Sequence, residues 1–137
     1  MTTRTEPRTL YRVAADDSIG TGTSFAESRA TAGGYRSNPG FGGTRIYSAE
    51  IEACDVLDLR GMTVADAAEM LGQGDPGAIG IDEWLPRDVD ALATARATGA
   101  LWALVDESYP RDTTTWIWLG TSDDYCEGRE PELVEVA

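Results

Sequence analysis

Leu10-Tyr11-Arg12-Val13 alternates apolar and polar positions, the mark of a short strand with one buried face. The same two-residue rhythm returns in RIYSAEI (45–51) and DVLDL (55–59), which read as two strands joined by a short turn. TTTWIWL (113–119) is β-branched and aromatic, the strongest strand signal in the chain. Its tryptophans, Trp116 and Trp118, stand two apart and therefore share one face, which predicts core packing. Trp84 and Trp102 are also expected in the core. Ser24 to Ala26 reads as a brief strand, and Leu133-Val134-Glu135-Val136 as the last one.

Between these stretches the apolar spacing lengthens to that of a helix. One helix is predicted over about 28–35 with Ser28 as its N-cap. A second covers Thr63 to Leu71, where Thr63 and Asp66 form a capping-box-like pair. A third follows Trp84, with Pro86 in its first turn and Leu85, Val89 and Leu92 on one face, and extends toward Val105 across Gly99. Segments 14–23, 36–44, 72–80 and 121–131 carry the Gly, Pro, Asn, Asp and Ser content of loops. The expected fold class is α+β, strand-rich at both ends with helices between. Residues 1–9 are expected to form a flexible terminus and residues 10–137 a single domain, since 137 residues support one core rather than two.

Composition narrows the chemistry. With no histidine and only Cys54 and Cys126, a Cys/His zinc site is nearly excluded, as are Ser-His and Cys-His nucleophile pairs. Any reaction must rest on carboxylates, hydroxyls, arginines and aromatics. The net charge is −13, from 24 acidic and 11 basic residues, all of the latter arginine. That charge disfavours direct binding of nucleic-acid phosphates. It suits either a solvated acidic surface or a mimic of the DNA backbone that fills a basic groove. No window approaches the roughly 18 apolar residues of a membrane span, and MTTRTEPRTL lacks the apolar segment of a secretory signal, so a cytoplasmic location is expected, in its own or an infected host cell.

The stretch GTGTSFAESRATAGGYRSNPG (20–40) sets small, flexible residues before Phe25 and returns Tyr35 ten residues later. FAES followed by RATAGGY resembles the signature of the ADP-ribosyltransferase fold. IYSAEI (46–51) and VLDL (56–59) follow in the order that family shows, Leu10-Tyr11-Arg12 resembles its first core strand, and Glu130-Pro131-Glu132 runs into LVEV as its catalytic segment does. The likeness covers residues 10–59 well and 113–136 loosely. It implies an ADP-ribosyltransferase-like split β-sheet with short helices, and NAD as substrate. It further implies Glu132 as the catalytic carboxylate, with Glu130 and Glu127 as the next candidates. Arg12 would contact the adenosine-side ribose or pyrophosphate. Thr23 and Ser24, with Thr21, would surround the nicotinamide ribose and amide, Tyr35 would stack on nicotinamide, and Phe25 would line that pocket or anchor its strand.

Breaking the nicotinamide glycosidic bond passes through an oxocarbenium-like state, which a carboxylate can stabilise without histidine or metal. Arg12 with Thr23-Ser24 is similar to the Arg-Ser-Glu set of bacterial toxins rather than to the His-Tyr-Glu set of the polymerases. The resemblance therefore implies transfer of a single ADP-ribose to a bacterial protein. Small phage-encoded members of this size, an anti-CRISPR inhibitor among them, are similar in outline. The alternatives are an NAD-hydrolysing toxin of the RES type, a member that binds NAD without turnover, and a non-enzymatic acidic DNA mimic.

Overall fold

A computed structural model describes residues 2–36, 45–74, 76–107, 113–121 and 130–136. The strands are β1 (Thr2–Arg4), β2 (Arg8–Ala14), β3 (Ser24–Ala26), β4 (Arg45–Ile51), β5 (Asp55–Asp58), β6 (Trp102–Asp106), β7 (Thr114–Trp118) and β8 (Val134–Val136). The helices are α1 (Arg29–Arg36), α2 (Val64–Met70), α3 (Ile81–Trp84) and α4 (Val89–Ala97). The fold is mixed α+β, with one eight-stranded sheet in the order β1-β5-β6-β7-β3-β2-β4-β8. All pairings are antiparallel except β5 with β6. That parallel pair needs a long crossover, which α2, α3 and α4 supply. No helix among the described residues is long and apolar enough to cross a membrane.

Two short links force the sheet to curl. Ile51 and Asp55 are four residues apart, a reach of at most about 15 Å. Yet β4 and β5 are five strand positions apart, about 24 Å across a flat sheet. The link from Arg4 to Arg8 spans the same number of positions between β1 and β2. The half β1-β5-β6-β7 therefore folds over the half β3-β2-β4-β8, and a backbone bond from Thr5 N to Cys54 O (2.9 Å) ties the two links together.

The alternating pattern divides the core accordingly. Val56, Trp102, Leu104, Trp116 and Trp118 point into the concave side, where they meet Leu10, Phe25, Ala49 and Ile51. Trp102 is the hub, with ring centroids 5.3 Å from Phe25, 5.9 Å from Trp116 and 5.0 Å from Trp118, all edge-on. The intervening residues Leu57, Ala103, Val105, Ile117 and Leu119 face the other way, against Ala67, Leu71, Trp84, Leu85, Leu92 and Ala95 of the helical layer. Helix α1 covers Val13, Ala26 and Ile46 through Ala32.

The expected caps hold: Ser28 Oγ accepts from Thr31 N at 3.1 Å, and Thr63 Oγ1 from Asp66 N at 3.1 Å. Two expectations need correction. Residues 2–4, expected to be a frayed terminus, form edge strand β1 on β5. The helix expected to run from Trp84 to Val105 is instead α3, a turn holding Pro86, α4 and then β6. Asp88, whose Oδ1 accepts from Ala91 N at 2.9 Å, starts α4 afresh, and Gly99 at φ 94° lets the chain leave it. Trp102 to Val105 is buried on both faces, so the apolar run that mimics a helix is an interior strand.

Candidate functional site

The turn after β2 is built around Gly22. Gly20 N donates to Thr23 Oγ1 (2.9 Å) and Thr23 N to Gly20 O (3.0 Å), which closes the turn. Gly22 sits at φ 92°, and a Cβ there would lie 3.1 Å from the Pro86 carbonyl oxygen and 3.3 Å from Leu92 Cδ1. The dihedral favours glycine, and the space leaves a side chain only a tight fit. On its other side the turn is stitched to the exit of β7. Gly22 N donates to Trp118 O (2.7 Å), Trp118 N to Thr23 O (2.9 Å), and the Thr21 hydroxyl to the Gly120 carbonyl.

Where these two segments meet lies a cavity of about 420 Å³, lined by Ile19, Gly20, Thr21, Trp118, Gly120, Thr121 and Glu130. That volume is within the range of about 300–1,000 Å³ typical of small-molecule sites. Among the described residues the lining offers apolar surface, a threonine on each side and one acidic residue, but no cationic one. Glu130 reaches it because the segment before β8 crosses the concave side, with Leu133 packed on the tryptophan cluster. Among the described residues no group of three or more metal-ligating side chains is gathered anywhere.

Arg12 marks the other end of the turn. Strands β2 and β3 pair only at Tyr11 and Ala26 and then separate. The Arg12 guanidinium bridges the gap, its Nη1 donating to the Ser24 carbonyl at 2.9 Å. Its Nε is buried and has no hydrogen-bond partner among the described residues. Burial pushes the Arg12 pKa down, against the opposing pull of Asp16. Asp16 is itself held below its ordinary value, chiefly by the Ser18 hydroxyl and then by the Ser18 backbone N–H. An arginine short of one partner beside an exposed carboxylate is placed to donate hydrogen bonds from its nitrogens to a ligand's oxygens.

The residues expected from sequence separate into groups. Thr21 lines the cavity, Thr23 closes its turn, and Ser24 lies at the start of β3 with its carbonyl on Arg12. Phe25 is 2% exposed, packs edge-on to Trp102 and is not among the residues lining the cavity, which fits the second of its two expected roles, anchoring its strand in the core. Glu132 is exposed, two residues ahead of β8, and does not line the cavity, whereas Glu130 does. Glu127 and the Tyr35 side chain lie outside the described residues.

Trp118 and Gly120 entered the site without having been expected there. Trp118 is 2% exposed and belongs to the core as read from the sequence, yet it also lines the cavity. The glycine directly after the aromatic run WIWL was the available signal for a close approach of ring and backbone. No protein-family model matches the chain, and no curated protein sequence matches it.

Proposed function

We propose that the chain is an NAD-dependent mono-ADP-ribosyltransferase acting on a bacterial protein, built on an ADP-ribosyltransferase-like split sheet. The observation that carries this reading is the joint position of the cavity and Arg12 at the two ends of one short turn, Gly20 to Ser24. A dinucleotide needs both: a flat pocket for its nicotinamide end and a cationic group for its ribose and phosphate oxygens. The separation of β2 from β3 after a single residue pair supports the split-sheet description, and the sequence resemblance supports the family.

In this reading the bond between the ribose C1′ and the pyridinium nitrogen breaks, and its electron pair leaves with neutral nicotinamide. The sugar develops oxocarbenium character, which a carboxylate at the cavity wall stabilises. Glu130 takes that role in place of Glu132, because it is the carboxylate that borders the cavity. An acceptor side chain then attacks C1′ and gives up its proton. Nothing in the sequence requires histidine or a metal for these steps.

Incubation of the protein with NAD labelled in its adenylate moiety and a bacterial lysate tests the proposal. Label on a discrete protein band is the expected result. Free labelled ADP-ribose without protein label would replace transfer by hydrolysis. Intact NAD throughout would overturn both.

A further inference from the structure

Gly120 is buried, and an added Cβ there would fall inside the indole of Trp118, overlapping Cζ2 and Cε2. The ring thus lies back over its own strand, in the volume that a side chain at residue 120 would fill. On its inner side the indole is held by Trp102, 5.0 Å away between centroids. Trp118 is also one of the residues that line the cavity. Close-packed interiors do not yield to an added methyl group, so a displaced ring moves toward the open space.

We propose that Gly120 is a specificity-determining position: by lacking a side chain it keeps the Trp118 ring out of the cavity and so admits the ring-bearing end of the ligand. The inference rests on the proposed NAD reading and deepens it, since it assigns the nicotinamide end to the cavity and leaves the ADP-ribose end to Arg12. The Thr21 hydroxyl on the Gly120 carbonyl fixes the same backbone from the opposite wall. The gap between turn and strand therefore cannot widen to accommodate the ring without losing that bond.

Titration calorimetry of the full chain with NAD and, separately, with ADP-ribose tests this, because ADP-ribose lacks only the nicotinamide. Gly120→Ala should weaken NAD by roughly tenfold to a hundredfold, the worth of one stacked ring, and leave ADP-ribose binding unchanged. Trp118→Phe, which removes the outer part of the indole, covers the case in which Gly120→Ala does not fold. It should change NAD affinity several-fold with ADP-ribose again unaffected, and the double variant should recover NAD binding relative to Gly120→Ala. Equal losses for the two ligands, or no loss for either, would overturn the assignment. Wild-type protein that binds neither ligand would instead refute the NAD reading itself.

Discussion

Replacing Glu27 by alanine should destabilise the fold by about 1–4 kcal/mol, a value that follows from what its carboxylate holds. Glu27 Oε2 accepts from the indole Nε1 of Trp116 at 3.2 Å and pairs with Arg8 Nη1 at 2.7 Å. Trp116 is 1% exposed, so without Glu27 its N–H is left buried and unpaired, at a cost of about 1–3 kcal/mol. The ion pair adds less, about 0.2–1 kcal/mol, because both side chains are roughly one-third exposed. Arg8 also stacks over the Trp116 ring with its guanidinium carbon 5.0 Å from the centroid, and Glu27 holds it there. For a chain of this length each kcal/mol lowers the melting temperature by roughly 3–4 °C. Urea unfolding of wild type, Glu27→Ala and Glu27→Gln gives the comparison. Glutamine keeps an acceptor for the indole and loses only the ion pair, so its loss should stay under about 1 kcal/mol. A Glu27→Ala loss below about 0.5 kcal/mol, or a Glu27→Gln loss equal to it, would refute the claim that the buried indole sets the magnitude.

Arg12→Ala should weaken NAD on the order of tenfold or more in calorimetry, and Arg12→Lys should not restore it, because a lysine lacks the fork that reaches Ser24 and the ligand together; full affinity in Arg12→Lys would reduce the role to charge alone. Asp58 is held below its ordinary value of 3.8, first by the Arg60 side-chain hydrogen bonds at 2.9 and 2.7 Å. A depressed carboxylate stabilises the fold above its unfolded value and loses that contribution as pH falls through the folded one. The stability advantage of wild type over Asp58→Asn, at most about 1 kcal/mol for so exposed a pair, should therefore shrink in acid below pH 3.8; a gap that stays constant from neutral pH into that range would contradict it.

The strands were legible wherever burial falls on one face. RIYSAEI and Ser24 to Ala26 carry the same bounds in sequence and structure, since alternation or flanking turn residues mark both ends. Strand β6 was hidden because both its faces are covered, one by the tryptophan cluster and one by the helices, which erases the two-residue period, and because it lacks the run of threonines and aromatics that marked β7, covered on both faces as well. The curl of the sheet follows from two short links, but only once the strand order is known, and pairing between distant strands leaves no mark in a local pattern. The turn residues Gly20 to Thr23 were readable as a close-approach segment for the same reason that Gly22 stands at positive φ. The choice between Glu130 and Glu132 was not: two acids flanking Pro131 look alike until the crossing of the concave side brings one of them to the cavity. Phe25 was open to either role in the sequence, and its edge-on contact with Trp102 decides for the core.

The central claim is that the Glu130 carboxylate promotes cleavage of NAD bound beside it. Release of nicotinamide from NAD, followed chromatographically for wild type and Glu130→Gln together with NAD affinity for each, tests it most directly. A group that acts on the transition state alone changes turnover and spares ground-state binding. The account predicts that Glu130→Gln binds NAD as wild type does and loses turnover by about 10²–10³-fold, the scale of removing one preorganised electrostatic partner, while Glu132→Gln remains active. Full turnover in Glu130→Gln, or no nicotinamide release by the wild-type protein, would contradict it.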